Sequence, residues 1–173
     1  MSSHPHSFSR HCMMCGQRLT TAIPEGDRHR RLVCLDCGFI HYINPRPVAG
    51  VVPVRADGSV LLTRRAIQPR IGSWVFPGGF MDVGETAEQA AARETIEEAH
   101  LEVRDLSLLG VYTRIEPGVV VIVYTGEAVG EAEVGDETSE VRWFAPADIP
   151  WDELAFDTTT WALKTWLDRG AGE

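Results

Sequence analysis

The sequence predicts an α/β protein in two parts: a mixed β-sheet with helices packed on it, preceded by a small ribbon built around cysteines. Three observations carry this reading. All four cysteines lie within the first 37 residues, as two Cys-x-x-Cys pairs. The stretch YINPRPVAG at 42–50 then interrupts regular patterning with two prolines in three residues. Beyond it, β-rich runs surround two well-separated helical patterns, as expected for a sheet with helices on its faces.

The ribbon comes first, over 1–44. Its pairs are Cys12-Met-Met-Cys15 and Cys34-Leu-Asp-Cys37, with 18 residues between them, and each is followed by a glycine, Gly16 and Gly38. A two-residue gap lets one tight turn aim two thiolates at the same ion, and the glycine tolerates the bend that follows. Two such turns supply a closed tetrahedral set suited to structural Zn²⁺. Two disulfides would call for an oxidising compartment, and a redox Cys-x-x-Cys usually stands singly beside a βαβ pattern. The segment is too short for a core of its own, so metal binding would provide much of its folding free energy.

The main domain is placed at 45–170. VAGVVPV and SVLLTRRA flank Asp57-Gly58, a strong hairpin signal. WVFPGG reads as a short strand entering a turn. A helix is expected over 87–99, opened by Thr86 with Gln89 three residues on, a capping box. LSLLGVYTRI, VVVIVYTGEAV and EVRWFA read as three further strands. DTTTWALKTWLDRG reads as a closing helix with Asp157 as N-cap, apolar Trp161, Leu163, Trp166 and Leu167, and Gly170 as stop. Trp74 and Phe80 are read as core residues, and Trp143, Trp151, Trp161 and Trp166 as packing residues.

Composition narrows the function. A hydrophobic share of 44% belongs to a globular protein. No apolar run approaches the roughly 20 residues needed to span a bilayer. The start, MSSHPHSFSRHC, has no apolar core of a secretory leader, so a cytoplasmic location is expected. A net charge of −9 disfavours non-specific nucleic-acid binding, which relies on Lys and Arg neutralising phosphates. It leaves room for a phosphate-bearing substrate reached through metal ions.

The chemistry concentrates in GGFMDVGETAEQAAARETIEEAHL at 78–101. At 100° per residue, Glu94, Glu97 and Glu98 share an arc of about 100° on one helix face. Ala87, Ala90 and Ala91 precede them on that face, and Ile96 lies opposite. Small residues there imply that something packs closely, and the loop carrying Gly78, Gly79 and Gly84 is the expected neighbour. Three crowded carboxylates repel one another and raise their own pKa values unless cations are present, and Mg²⁺ or Mn²⁺ with oxygen ligands resolves this.

The full spacing is Gly79, five residues, Glu85, seven residues, then Arg93-Glu94-Thr95-Ile96-Glu97-Glu98-Ala99-His100-Leu101. It resembles the Nudix box at its leading glycine and all five charged positions. Thr95 stands where an aliphatic residue is usual, and His100 replaces a glycine that turns the chain out of the helix, a role requiring positive φ. The resemblance implies a Nudix α/β/α sandwich that hydrolyses a nucleoside diphosphate linked to another moiety. It implies Glu94, Glu97 and Glu98 as ligands of Mg²⁺ or Mn²⁺, with a carbonyl from Gly78. Arg93 would orient the carboxylates. Glu85 would support the ligands from behind or serve in the general-base apparatus. Glu94 and Glu140 are the candidate bases.

A cysteine ribbon ahead of the box resembles NADH pyrophosphatases, but their Ser-Gln-Pro-Trp-Pro-Phe-Pro signature is missing after the box. NPRPV, RRAIQPR and IPWDELAF are similar instead to ribbon-bearing Nudix proteins whose plant members hydrolyse ADP-ribose and FAD. A nucleotide-derivative substrate of that kind is therefore expected, with NADH or nucleoside triphosphates as the alternative. Arg64, Arg65 and Arg70 are candidate phosphate contacts. Analogy with such enzymes implies a homodimer. A competing class, a non-catalytic sensor or nucleic-acid-binding regulator, would draw on Arg28, His29, Arg30 and Arg31, a cluster that otherwise reads as an exposed hairpin.

Overall fold

The computed structural model describes residues 10–170; the expectations placed on 1–9, namely the missing leader and the start of the ribbon, fall outside the described residues. The chain divides into two compact units, Met1–Asn44 and Pro45–Glu173.

The first unit is an antiparallel three-stranded ribbon: β1 (Leu19–Ala22), β2 (Arg31–Cys34) and β3 (Ile40–His41), in that order. The β1–β2 connection is tied by Asp27, whose carboxylate accepts from the backbone of Arg28 at 2.6 Å and His29 at 2.9 Å, and from Arg31 Nε at 2.8 Å. Arg30 donates to the Thr21 carbonyl. The basic cluster is thus an exposed hairpin with two of its guanidiniums engaged.

The second unit holds β4 (Arg46–Val54), β5 (Val60–Arg65), β6 (Trp74–Val75), β7 (Gly78–Phe80), α1 (Ala87–Ala99), β8 (Glu102–Arg114), β9 (Val119–Val129), β10 (Thr138–Phe144) and α2 (Asp157–Gly170). The sheet runs β10-β5-β4-β9-β8, with β6 beside β5 and β7 beside β4. β4 and β9 are parallel and the other pairings antiparallel, so the sheet is mixed as expected.

Alternation along β4 divides the interior. Ala49 and Val51 face one side, where they meet Ala90 and Ala91 of α1 and Tyr124 of β9. Val52 faces the other, with Val121 and Val123 of β9 and Ala162 and Leu163 of α2. Period-2 patterning thereby places one helix on each face, giving the α/β/α sandwich. Each fully buried Leu or Val in these layers contributes about 1.5–3 kcal/mol.

Several elements differ from expectation. β4 continues through Pro47, which pairs with Val120. Proline is tolerated there because its carbonyl is the group in use, accepting from Met81 N at 3.2 Å. The Gly78–Phe80 stretch, expected as turn, is a strand pairing with 48–50 of β4. Asp157 is the first residue of α2 rather than its cap, and Gly170 is its last. Trp74 is buried as expected, whereas Phe80 is half-exposed beneath the Arg46 guanidinium, 4.4 Å from its ring centroid. Trp161 is also partly exposed, tilted against Tyr112.

Candidate active site

In the ribbon the four cysteine Sγ atoms lie within 4.8 Å of one another. Cys12 and Cys37 are 3.6 Å apart, and Cys15 and Cys34 are 3.5 Å apart. Bonds of about 2.3 Å to one tetrahedral ion would set thiolates about 3.8 Å apart, so the spacing suits Zn²⁺. The turns arise as the sequence implies: Gly16 N donates to Cys12 O at 2.8 Å and Gly38 N to Cys34 O at 3.0 Å, both glycines at positive φ.

The second site is built on α1 and the loop before it. Thr86 caps the helix, accepting from Gln89 N, while Gln89 Oε1 accepts from Thr86 N. What crowds the alanines is the sheet as well as the loop. Ala90 and Ala91 pack on β4 and β9, and Thr95 is fully buried with its hydroxyl donating to Ala91 O at 2.8 Å. The loop approaches Glu94 instead. A Cβ built on Gly79 would lie 2.5 Å from that carboxylate. Gly50 and Gly78 face each other across β4 and β7, and a Cβ on Gly78 would lie 2.7 Å from Gly50 Cα.

Arg93 joins the acidic residues. Its Nε and one terminal nitrogen donate to Glu85 at 3.1 and 2.8 Å, and the other terminal nitrogen donates to Glu94 at 2.8 Å and Glu97 at 3.0 Å. The Phe80 carbonyl takes a fifth bond at 3.2 Å. A planar fork with five N–H groups is the side chain that can do this. Glu85 also accepts from Asp82 N at 2.7 Å, which closes the loop.

Glu98 stands apart from Arg93. It is half-buried beside the buried Thr63, whose hydroxyl lies 3.4 Å from its Oε2. The Arg93 hydrogen bonds, with the Asp82 N–H, hold Glu85 down to about 2. Burial pushes Glu94 up against the pull of Arg93. Burial, and then the charge of Glu94, pushes Glu98 up to about 8, while the Gly78 N–H and Arg65 oppose the rise. A half-buried carboxylate without a full cationic partner fits a divalent ion with oxygen ligands. Among the described residues only the cysteines bring three or more ligand atoms within 4.8 Å of one another. The glutamates are instead spaced around Arg93.

The end of α1 is closed by a distant segment. His100 adopts the left-handed conformation at φ 51° and donates to Ile96 O. The next three carbonyls accept from elsewhere: Glu97 O from Asp136 N at 2.8 Å, Glu98 O from Gly135 N at 3.1 Å, and Ala99 O from Glu133 N at 2.9 Å.

The structure thus gathers Gly78, Glu85, Arg93, Glu94, Glu97 and Glu98, with Arg65 near enough to act on Glu98. Gly78 reaches Glu98 through its N–H. Arg65 is held by the carbonyls of Gln68 and Pro69. Arg70 is exposed in the loop that follows, at φ 66°. Glu140 is paired with Arg64 at 3.2 Å and with Arg142, inside β10. The acid whose charge reaches both Glu94 and Glu98 is Glu137, three residues earlier. The sequence signal existed in GDETSE, but the strand was expected to begin at Glu140 and begins at Thr138.

A mixed sheet between two helices, with a glycine loop and a carboxylate helix bound by one arginine, defines the Nudix architecture. The chain belongs to the Nudix family: the NUDIX domain model matches residues 44–166 and the Nudix N-terminal model matches 10–43. A crystal structure of a NUDIX hydrolase from Nitrosomonas europaea is similar at TM-score 0.82 and 38% identity, covering 90% of this chain and 89% of that one. An ADP-ribose pyrophosphatase of Methanocaldococcus jannaschii is 36% identical over 122 residues, 67% of this chain and 70% of that protein. The NAD-capped RNA hydrolase NudC of Vibrio atlanticus is 28% identical over 151 residues, 85% of this chain. The chain spans about half the length of that relative, 53%.

Proposed function

We propose that this protein hydrolyses the pyrophosphate bond of a nucleoside diphosphate linked to another moiety, in a reaction that depends on Mg²⁺ or Mn²⁺, with ADP-ribose or FAD as the leading substrates. The observation that carries this reading is the half-buried, cation-poor carboxylate of Glu98, beside Thr63 and apart from the Arg93 fork that holds Glu94 and Glu97. The similarity to an ADP-ribose pyrophosphatase supports the substrate class.

Glu94, Glu97 and Glu98, with the Gly78 carbonyl, would hold the divalent ion. When bound, such an ion neutralises the diphosphate and lowers the pKa of an attacking water. The chain's own residues do the rest. Arg93 fixes Glu94 and Glu97 against mutual repulsion, and Glu85 anchors Arg93 from the loop. Glu137 replaces Glu140 as the second candidate base beside Glu94, receiving the water's proton on a carboxylate oxygen, because Glu140 is occupied by two arginines. Arg65 is the candidate phosphate contact on this side of the sheet, and Arg70 a weaker one in the loop. The four cysteines would hold a structural Zn²⁺. A homodimer in the cytoplasm is the expected form.

A panel of ADP-ribose, FAD, NADH, NAD-capped RNA and nucleoside triphosphates, each with Mg²⁺ and with Mn²⁺, tests the proposal. Turnover of ADP-ribose or FAD above the other substrates is expected. Activity confined to triphosphates would overturn the substrate assignment, and no metal-dependent turnover of any member would overturn the hydrolase reading.

A further inference from the structure

The ring of Phe156 gathers two positive charges. The guanidinium carbons of Arg65 and Arg114 each lie 5.4 Å from its centroid, so they are at most twice that distance apart. Their strands are not neighbours. Arg65 ends β5 and Arg114 ends β8, with β4 and β9 between them in the sheet, a separation of roughly 14 Å at regular strand spacing. The two side chains therefore lean towards each other. No acid of the protein draws them there: among the described residues neither guanidinium forms a salt bridge with a carboxylate.

The same domain holds a second ring with two guanidiniums, and there an acid joins them. Trp74 takes Arg64 at 5.4 Å and Arg142 at 5.2 Å, and Glu140 pairs with both. A ring face attracts each cation separately; the carboxylate is what offsets their mutual repulsion. Around Phe156 no described side chain takes the part of Glu140. All three residues there are half-buried, so a ligand can reach them. Two of them are also held in place. Arg65 donates from Nε to Pro69 O at 2.7 Å and from one terminal nitrogen to Gln68 O at 3.4 Å, which leaves the N–H groups of its other terminal nitrogen for a ligand. Phe156 follows Ala155, whose N–H donates to Trp74 O at 2.8 Å, and its own carbonyl accepts from Thr159 N at 3.0 Å. The direction is set by Thr63, which shares a face of β5 with Arg65 and places its hydroxyl 3.4 Å from Glu98 Oε2. Arg65 thus leaves the sheet on the side where the carboxylate helix lies.

We propose that Arg114 is a substrate-binding residue: with Arg65 it forms a clamp across Phe156 that grips the two phosphoryl groups of a diphosphate lying beside the carboxylate helix. The identity of the anion rests on the hydrolase reading given under the proposed function; the convergence of the two arginines does not. Guanidiniums make paired, charge-assisted bonds to phosphoryl oxygens. The clamp therefore reads the diphosphate itself and is indifferent to the moiety attached to it.

The test is calorimetric binding of two uncleaved analogues, α,β-methylene-ADP and α,β-methylene-ADP-ribose, to the zinc-loaded full chain with Mg²⁺. Arg114→Met keeps a long apolar side chain against the ring and removes the charge. It is expected to weaken both analogues by about tenfold and by the same factor, the order of a lost charged hydrogen bond. The loss should shrink as salt is raised, and Arg114→Lys should recover only part of it. Wild-type affinity in Arg114→Met would overturn the proposal. So would a loss confined to one analogue, which would place Arg114 on the attached moiety, and so would failure of the unmodified chain to bind either analogue. Phe156→Leu keeps both charges but not the ring that gathers them, so it decides the matter if Arg114→Met does not fold: several-fold weaker binding is expected, and unchanged affinity would refute the clamp. Arg114-dependent binding in a protein that hydrolyses no substrate would sink the enzymatic proposal and leave this one standing. Metal-dependent turnover with a KM that Arg114→Met does not move would do the reverse.

Discussion

Gly79 and Glu94 share a space that holds only one of them: the Cβ that Gly79 lacks would sit 2.5 Å from the Glu94 carboxylate. The clash is with the far end of a flexible side chain, not with backbone. Gly79→Ala is therefore expected to cost under about 1 kcal/mol of stability. Turnover should fall by about a hundredfold, the order reached when a reacting group is misplaced by an ångström. Measuring kcat and Tm on the same variant checks the split, and a Tm collapse with kcat intact would contradict it.

Glu98 predicts a proton-linked metal site. Its pKa is raised to about 8 in the metal-free protein, against an ordinary carboxylate value of about 4.3. Between those values the folded state holds a proton that the unfolded state has released. The metal-free protein therefore loses stability as pH rises across that window. A divalent ion must displace the proton, so Mn²⁺ affinity should increase with pH up to about 8. Calorimetry in buffers of different ionisation enthalpy should detect up to one proton released. Glu98→Gln should abolish the release, flatten the stability profile and lose most turnover.

Arg93 sets the acid limit of the loop. Its hydrogen bonds depress Glu85 to about 2, so Glu85 stabilises the fold above the ordinary carboxylate range and ceases to do so as pH falls towards 2. Replacing Arg93 with Ala should move the onset of acid unfolding to higher pH, as followed by circular dichroism. Lys should restore it only in part, because a point charge cannot make paired bonds to one carboxylate. Full restoration by Lys would argue for charge alone.

His100 should be replaceable with profit to the fold. It sits at φ 51° where glycine is favoured. His100→Gly is expected to stabilise the protein by about 0.5–1 kcal/mol, a gain limited by the added freedom of the unfolded chain. Thermal melts should show a rise of a few degrees with kcat unchanged.

Local chemistry made much of this molecule legible from sequence. The capping box placed Thr86 and the helix 87–99 to the residue, because the signal involves neighbours in the chain. The cysteine spacing likewise contained its own geometry. Long-range relations were less legible. The use of Pro47 in β4, the pairing of Gly78–Phe80 with that strand, and the exposure of Phe80 all depend on which strand lies alongside. Glu137 was passed over for Glu140 because the start of β10 is fixed by its register with Arg65. Composition does not announce that register.

The seam between Gly50 and Gly78 has a consequence for how this protein can vary. Elsewhere in the interior an enlarged residue can be accommodated by trimming its neighbour, and a lineage is free to wander through such exchanges. Here both partners are already the smallest residue there is, so neither has an atom to surrender. A methyl added to either must be answered by movement of the main chain, and a search for second-site suppressors of Gly78→Ala should come back with nothing at position 50.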